Sequence, residues 1–305
     1  LTLGILEGVD LDEGYEFSVE VHPSFTRVEH LDALAEIGFR RISVGIQDFD
    51  PVVQDIINRR QTFEDTQRVV HAARELGFTG VNVDLVYGLP RQTLSSIRST
   101  LEKTALLDPD RIAYYSYAFV PWKSKAQRRY SEADLPDAAL KWDMIHLGME
   151  TLKGQGYDMV GMDHFAKPED KLAKMAKEGT LHRNFMGYST HSNRVLIGLG
   201  ASSISDAWTG YAQNEDDVEE YQERIDRGDW PVKRGHLVDA ADVRIRQTIL
   251  DIMCLRLTDI NTGLMSPYSE EMMTDLREMA LDGILELENN KLKITPQGRF
   301  FVRNV

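Results

Sequence analysis

Short apolar runs alternate with helix-patterned segments along most of the chain. EFSVEV (16–21), RRISVGI (40–46), VNVDLVYGL (81–89) and RIAYYSYAF (111–119) are rich in β-branched and aromatic residues and read as strands. Between them, VEHLDALAEIGF (28–39), FEDTQRVVHAARELGF (63–78) and LSSIRSTLEKTALL (94–107) carry apolar residues at helical spacing. The first two close on the same Gly-Phe step, at Gly38 and Gly77, a helix-end signal, and PVVQDII (51–57) opens on a proline suited to a first helical turn. A long helix from about Asp137 to Gly154 leads to DMVGMDHF (158–165). After a loop carrying HRNFMGYSTHSN (182–193), VLIGLGASSI (195–204) reads as a further strand. Order and short connections predict an α/β fold with at most six parallel strands, too few for a closed eight-strand barrel.

From about Gly235 the rhythm changes. ADVRIRQTILDIMCLRL and SEEMMTDLREMALDG read as helices, and ILELENNKLKITPQG as a hairpin turning at Asn289-Asn290. With RFFVRNV they form a winged-helix-like α+β unit. Domains are therefore expected at 1–234 and 235–305. DNA binding is disfavoured for the second: acidic side chains outnumber basic ones, and SEEMMTDLREMALDG is acidic where a reader of phosphates is basic.

Single polar residues interrupt the strand runs: Glu20, Gln47 and Asp84, with Tyr117-Ala118 ending the fourth. A carboxylate or amide inside an apolar run is costly unless satisfied, and ligands of such folds sit at the carboxyl ends of the strands. A set at equivalent positions points to one shared ligand. Each has a plainer reading: Glu20 as an exposed strand carboxylate, Arg59 beside Arg60 as a solvated helix-end cation. Asp84, before Tyr-Gly-Leu-Pro, is harder to place without a buried partner.

Composition narrows the classes. The 305 residues are 42% hydrophobic and carry a net charge of −14, which suits a globular protein and disfavours nucleic acid or an anionic membrane as partner. No apolar stretch reaches the length of a membrane helix, and no targeting segment is evident, so a cytoplasmic location is expected. The single cysteine, Cys254, excludes an internal disulfide and a cysteine cluster built from these residues. The first residue is Leu1, in what reads as a helix, so further chain is expected at the amino end.

Taken together, EFSVEVHP, RRISVGIQDFDPVVQDIINRRQ, GFTGVNVDLVYGLPRQT, DPDRIAYYSYAFVP, GMDHFAKPEDKLA, LHRNFMGYST and YAQN resemble the oxygen-independent coproporphyrinogen III oxidase (dehydrogenase) family of radical S-adenosylmethionine enzymes. The resemblance spans nearly the whole chain and implies a partial (β/α)6-type radical SAM barrel followed by the winged-helix-like domain. It implies one S-adenosylmethionine site at Glu20 and Ile204, and a second at Gln47, Arg59, Asp84 and Ala118. It also implies a [4Fe-4S] cluster whose CxxxCxxC ligands lie outside these residues. The implied reaction, in haem biosynthesis, takes hydrogen from two substrate propionates, which lose CO2 and become vinyl groups, giving protoporphyrinogen IX. The implied partners are a tetrapyrrole substrate and a reducing electron donor, and the protein is expected to be a monomer that binds neither nucleic acid nor membrane.

Arg183 is a candidate partner for a substrate carboxylate, since a guanidinium forks onto carboxylates. Met186 stands where the family usually has Gln. Lys123, Lys125, Arg128 and Arg129 either steer a polycarboxylate or form a solvated face. Metal ligation by His164, His182 and His191 is disfavoured by their spacing. The alternative to the enzyme is a haem-carrier relative of the same barrel, with His164, His182 or Cys254 as ligand, or a degenerate non-catalytic relative of the family.

Overall fold

The computed structural model describes residues 2–260 and 269–305. They fall into two compact units, Leu1–Ala173 and Lys174–Val305. In the first, the short helix α1 (Thr2–Leu6) precedes β1 (Ser18–Val21), α2 (Val28–Ile37), β2 (Arg41–Gln47), α3 (Pro51–Ile56), α4 (Phe63–Glu75) and β3 (Gly80–Tyr87). There follow α5 (Leu94–Leu107), β4 (Arg111–Ser116), α6 (Ala138–Gly154), β5 (Asp158–Val160), β6 (His164–Ala166) and α7 (Lys171–Glu178), within which the unit ends.

Local chemistry sets these boundaries. The Asp50 carboxylate caps α3 by accepting from Val52 N (2.9 Å) and Val53 N (3.2 Å) ahead of Pro51. Thr62 and Asp65 form a reciprocal capping box on α4, and Asp137 caps α6 through Leu140 N at 2.8 Å. The Gly-Phe steps after α2 and α4 both place glycine in the left-handed region, Gly38 at φ 105° and Gly77 at φ 86°, where a side chain would strain the turn into the next strand.

One sheet runs in the order β1-β2-β3-β4-β6-β5. Strands β1 to β4 are parallel; β6 is antiparallel to both β4 and β5. The run DMVGMDHF is thus a hairpin and not one more parallel strand. Gly161 (φ 62°) lies in the connection that turns the chain back after only three residues of β5. Along β2 and, from Val81 on, along β3 burial alternates: Ile42, Val44, Ile46, Val81, Val83 and Leu85 are buried, while Ser43, Gly45, Asn82 and Asp84 between them are not. One face of the sheet is therefore core and the other polar. Helices α2, α4 and α5 contribute Leu31, Val69, Val70, Ile97 and Leu101 to the buried set.

At the amino-terminal ends of β2 and β4, Arg41 and Arg111 meet Asp170. Arg111 Nε lies 2.9 Å from Asp170 Oδ1, and Arg41 pairs with Glu16 (3.0 Å) and approaches Asp170 (4.0 Å). The Arg111 and Asp170 side chains are 10% and 8% exposed. Burial, and then Arg41, pull Arg111 below the usual guanidinium range while Asp170 holds it up.

The second unit holds the hairpin β7 (His182–Asn184) and β8 (Gly187–Ser189), then β9 (Ile204–Asp206), β10 (Gly210–Asn214), α8 (Val218–Asp226) and β11 (Val232–Leu237). Strands β9, β10 and β11 form an antiparallel sheet in the order β11-β10-β9. The segment 195–204, expected to be one strand, contributes only Ile204 to β9 and a single bridge from Leu196 to Asp206. Its glycines explain the difference: Gly200 takes φ 100°, and a Cβ on Gly198 would lie 2.7 Å from the Ile204 carbonyl oxygen.

Helix α9 (Ala240–Leu250) runs into a π-helical turn, Asp251–Leu255, followed by β12 (Leu257–Asp259), α10 (Ser269–Leu281), β13 (Leu285–Glu288) and β14 (Lys291–Ile294). The last three strands pair as β12-β14-β13. Asn289 and Asn290 both take positive φ (50° and 63°), the two-residue hairpin turn expected there. Two helices and a hairpin follow one another in the order expected from the sequence. The expected boundary at 234/235 falls inside β11, which is paired along its length with β10, and the compact division lies upstream at 173/174.

Candidate functional site

The polar face of the first sheet gathers the residues that interrupted the strand patterns. Pairing sets Glu20 opposite Ser43, Gly45 opposite Asp84, Asp84 opposite Ala113 and Ala113 opposite His164, so all share that face. Ser43 Oγ approaches Asp84 Oδ2 at 3.5 Å. Burial, then the negative charge of Glu20, push Asp84 up to about 6, against opposing effects of His164, Ser43 and Arg59. His164 Nδ1 lies 2.6 Å from Asp163 Oδ1, and its ring packs edge-on to Tyr115 at 5.7 Å.

Beyond Gly45 the register slips by one residue, and Gln47 takes φ 66°. This bulge ends β2 and re-aims Gln47. Arg59, in the turn after α3, donates from Nη2 to the Gly45 carbonyl at 2.6 Å, and Gln61 Nε2 donates to the same oxygen at 3.2 Å. A Cβ on residue 45 would meet Arg59 Nη2 at 2.7 Å, so glycine is what lets the guanidinium lie against the strand. Arg59 Nε is buried and has no partner among the described residues. Burial lowers the Arg59 pKa and Asp84 opposes the shift; burial and Arg59 together lower that of His22. The solvated helix-end cation is Arg60, whose side chain is 81% exposed beside Asp55.

Asp48, fully buried beneath the bulge, accepts from Thr100 Oγ1 (2.7 Å), Asp50 N (2.6 Å) and Gln92 Nε2, and its carbonyl accepts from Gln54 Nε2 (2.9 Å). Sequence reasoning passed over Asp48, Gln61, Gln92 and Thr100. The available signal was Asp48 itself, a second polar residue directly after Gln47 at the end of an apolar run.

Ala118 follows β4, and its carbonyl accepts from Gln127 Nε2 at 3.1 Å. Tyr117 N continues the ladder onto Tyr87 O at 2.8 Å, and its hydroxyl pairs with that of Tyr130. Lys123, Lys125 and Arg128 lie on exposed backbone or side-chain positions beyond, Arg128 Nε bonding Pro121 O at 3.0 Å; Arg129 lines a shallow groove with Pro51, Asp55 and Arg91.

Ile204, Arg183 and Met186 belong to the second unit. Ile204 opens β9 opposite Gln213. Arg183 lies over the Tyr188 ring at 4.8 Å, while Met186, at the tip of the β7–β8 hairpin, is 83% exposed. Cys254 is buried, with its thiol pushed up to about 11, a poor source of thiolate for a haem iron. Burial lowers the pKa of His182, and His191 Nδ1 lies 3.2 Å from Thr190 Oγ1.

The raised pKa of Asp84 gives a test of this electrostatic setting. A carboxyl neutral in the fold up to about pH 6, but ionised above about 3.8 when unfolded, contributes stability that is complete below pH 3.8 and lost as pH rises through 6. Asp84→Asn removes the titration. Its stability gain over the wild type is expected to be near zero at pH 4 and to reach about 1–2 kcal/mol above pH 7; urea unfolding at the two pH values measures it, and an equal effect at both would contradict the assignment.

Comparison with known proteins places this geometry. Residues 3–104 match the model of the Radical SAM superfamily. The oxygen-independent coproporphyrinogen III oxidase of Pseudomonas aeruginosa is 39% identical over 300 residues, covering 96% of this chain and 65% of that protein. The protein of the same name from Thermostichus vulcanus is 39% identical over 298 residues, covering 95% of this chain and 91% of its own. The solved structure of coproporphyrinogen III oxidase from Escherichia coli, described as a radical SAM enzyme, superposes with a TM-score of 0.92 at 36% identity, over 99% of this chain and 71% of that one.

The chain belongs to the oxygen-independent coproporphyrinogen III oxidase family. It has the radical SAM fold, and it spans 65% to 67% of the length of the Pseudomonas, Synechocystis and Salmonella relatives. For a coproporphyrinogen oxidase relative, the polar sheet face is the side on which strand-borne groups remain free of the core. Glu20, Gln47, Arg59 and Asp84 gather there in the first unit; Ile204, Arg183 and Met186 are set on the β-structures of the second.

Proposed function

We propose that the full-length natural protein is an oxygen-independent coproporphyrinogen III dehydrogenase, an oxidoreductase that converts two propionates of coproporphyrinogen III to vinyl groups and gives protoporphyrinogen IX in haem biosynthesis. Identity of 36% to 39% to oxidases of that name over nearly the whole chain carries the reading. The chemistry of the polar face supports it.

S-adenosylmethionine combines a carboxylate, an amino group and a sulfonium with an adenosine, and these residues suit it. The orphaned Arg59 Nε and its guanidinium offer a fork for the carboxylate. Asp84, costly to ionise alone, gains from a cation beside it, and Glu20 and Gln47 add an anion and an amide on the same side. Ala118 presents backbone just beyond the end of β4. When bound, S-adenosylmethionine supplies the radical chemistry of the family. The protein's own part is to fix the orientation of that molecule and of the propionate, through guanidinium and backbone contacts, and to keep water from the reacting carbon.

A [4Fe-4S] cluster does not fit these residues. Cys254 is the single cysteine, buried in the second unit with a raised pKa, so cluster ligands have to come from other residues of the natural protein. A reducing donor, a cytoplasmic location and a monomeric state complete the proposal.

The test is anaerobic turnover by the full-length natural protein with reductant, S-adenosylmethionine and coproporphyrinogen III. Protoporphyrinogen formation is expected. A cluster-loaded protein that forms none, and instead shows a haem absorbance shift on titration with haem, would replace the enzyme reading with that of a haem carrier.

A further inference from the structure

A pocket of about 250 Å³ opens between the β7–β8 hairpin, β9, β10 and α9, wholly within the second unit. At its side lies Arg246, a guanidinium held between two aromatic rings, with Cζ 4.7 Å from the Trp208 centroid and 4.6 Å from that of Tyr211. The side chain is 10% exposed. One terminal nitrogen, Nη2, donates to Asp206 Oδ1 at 3.1 Å, while Nη1 is buried with no partner among the described residues. Phe185 packs edge-on to Tyr211 at 5.4 Å and closes the aromatic wall, and Arg183 adds a second cation to the lining.

Leaving a buried guanidinium nitrogen unpaired is costly, a penalty natural structures avoid unless the group has another use. A guanidinium already stacked between rings has lost its rotamer freedom, so an incoming carboxylate finds its fork preset. Two cations face one carboxylate, Asp206, so the lining favours an anion. The volume is below the range of drug-sized sites. It admits one ring with a side chain, and a tetrapyrrole only by one of its edges.

We propose that this pocket anchors one propionate-bearing pyrrole ring of the tetrapyrrole, with the carboxylate on Arg246 and the ring against Trp208 and Tyr211. The assignment rests on the proposed function for the identity of the ring. In it Asp206 is the internal counter-ion that the propionate displaces. Trp208 N donates to Asp206 Oδ1 at 2.9 Å, a bond that an asparagine oxygen can also accept, so Asp206→Asn removes the competing charge and keeps the turn.

The experiment titrates the full-length natural protein with two probes, coproporphyrin III by fluorescence and indole-3-propionate by calorimetry. The second carries a ring and one propionate but is no tetrapyrrole. Both are expected to bind. Arg246→Gln should weaken both by tenfold or more, Arg246→Lys should restore only part, and Asp206→Asn should tighten both severalfold with a steeper salt dependence. A merely structural Arg246 predicts no tightening. Coproporphyrin binding unchanged in Arg246→Gln and in Asp206→Asn overturns the pocket and leaves the enzyme reading standing. Binding of indole-3-propionate alone, with the same variant pattern, keeps a carboxylate pocket but overturns the tetrapyrrole assignment; binding of neither probe overturns the proposal. If Arg246→Gln fails to fold by circular dichroism, Asp206→Asn alone decides by the sign of its effect.

Discussion

Asp170→Ala is expected to lower the unfolding free energy of the protein by about 3–5 kcal/mol, the loss typical of removing one partner from a buried ion pair. The carboxylate bonds Arg111 Nε through both oxygens (2.9 and 3.0 Å) and lies 4.0 Å from Arg41, so its removal leaves Arg111 buried without its bonded counter-ion and two guanidiniums sharing the charge of Glu16. Urea unfolding measures the loss directly. The double variant Asp170→Met with Arg111→Met should lose markedly less than the two single losses added together, because the uncompensated charge goes with its partner. Additive losses would show that the cluster is solvated in solution and only loosely coupled. The position of the cluster, at the strand ends opposite those expected to hold ligands, fits a stabilising role.

Arg59→Met should reduce product formation by the full-length natural protein by about ten- to a hundredfold, the equivalent of one charge-assisted hydrogen bond worth about 1.5–3 kcal/mol. The loss should appear as weaker S-adenosylmethionine binding, read by calorimetry, with the melting temperature nearly unchanged or raised. Arg59 is poised for that role: its Nη2 rests on the Gly45 carbonyl, its Nε has no partner among the described residues and its charge is opposed by burial. A lowered melting temperature with unchanged binding would instead make it a clamp on the β2 bulge.

The β-α order of the first unit was legible because apolar period and helix-stop glycines agreed: Gly38 and Gly77 end helices at the positions the Gly-Phe steps marked. Two runs were misread for related reasons. A strand pattern reports apolar content but not direction, and in DMVGMDHF the reversal rests on the turn around Gly161. In 195–204 the backbone demands of Gly198 and Gly200 outweigh the valine, leucine and isoleucine around them. In the site, Asp84 could be singled out because it interrupts an apolar strand. Asp48 carried a signal, a second polar residue after Gln47, but its partners Thr100 and Gln92 lie far along the chain; Gln61 carried none, since it donates to backbone carbonyls at a bulge that no composition signal announces. The box around Arg246 was equally hidden: Trp208, Tyr211 and Arg246 come from a turn, a strand and a helix, and only the fold makes them neighbours.

The alternation of β2 and β3 has a consequence for how this protein can change. The apolar core of the sheet is written in Ile42, Val44 and Ile46 of β2 and Val81, Val83 and Leu85 of β3, and the residues between them face away from it. A library randomised at Ser43 and Asp84 therefore leaves the apolar core untouched, whereas the same number of changes at Ile42 and Val44 strikes it directly.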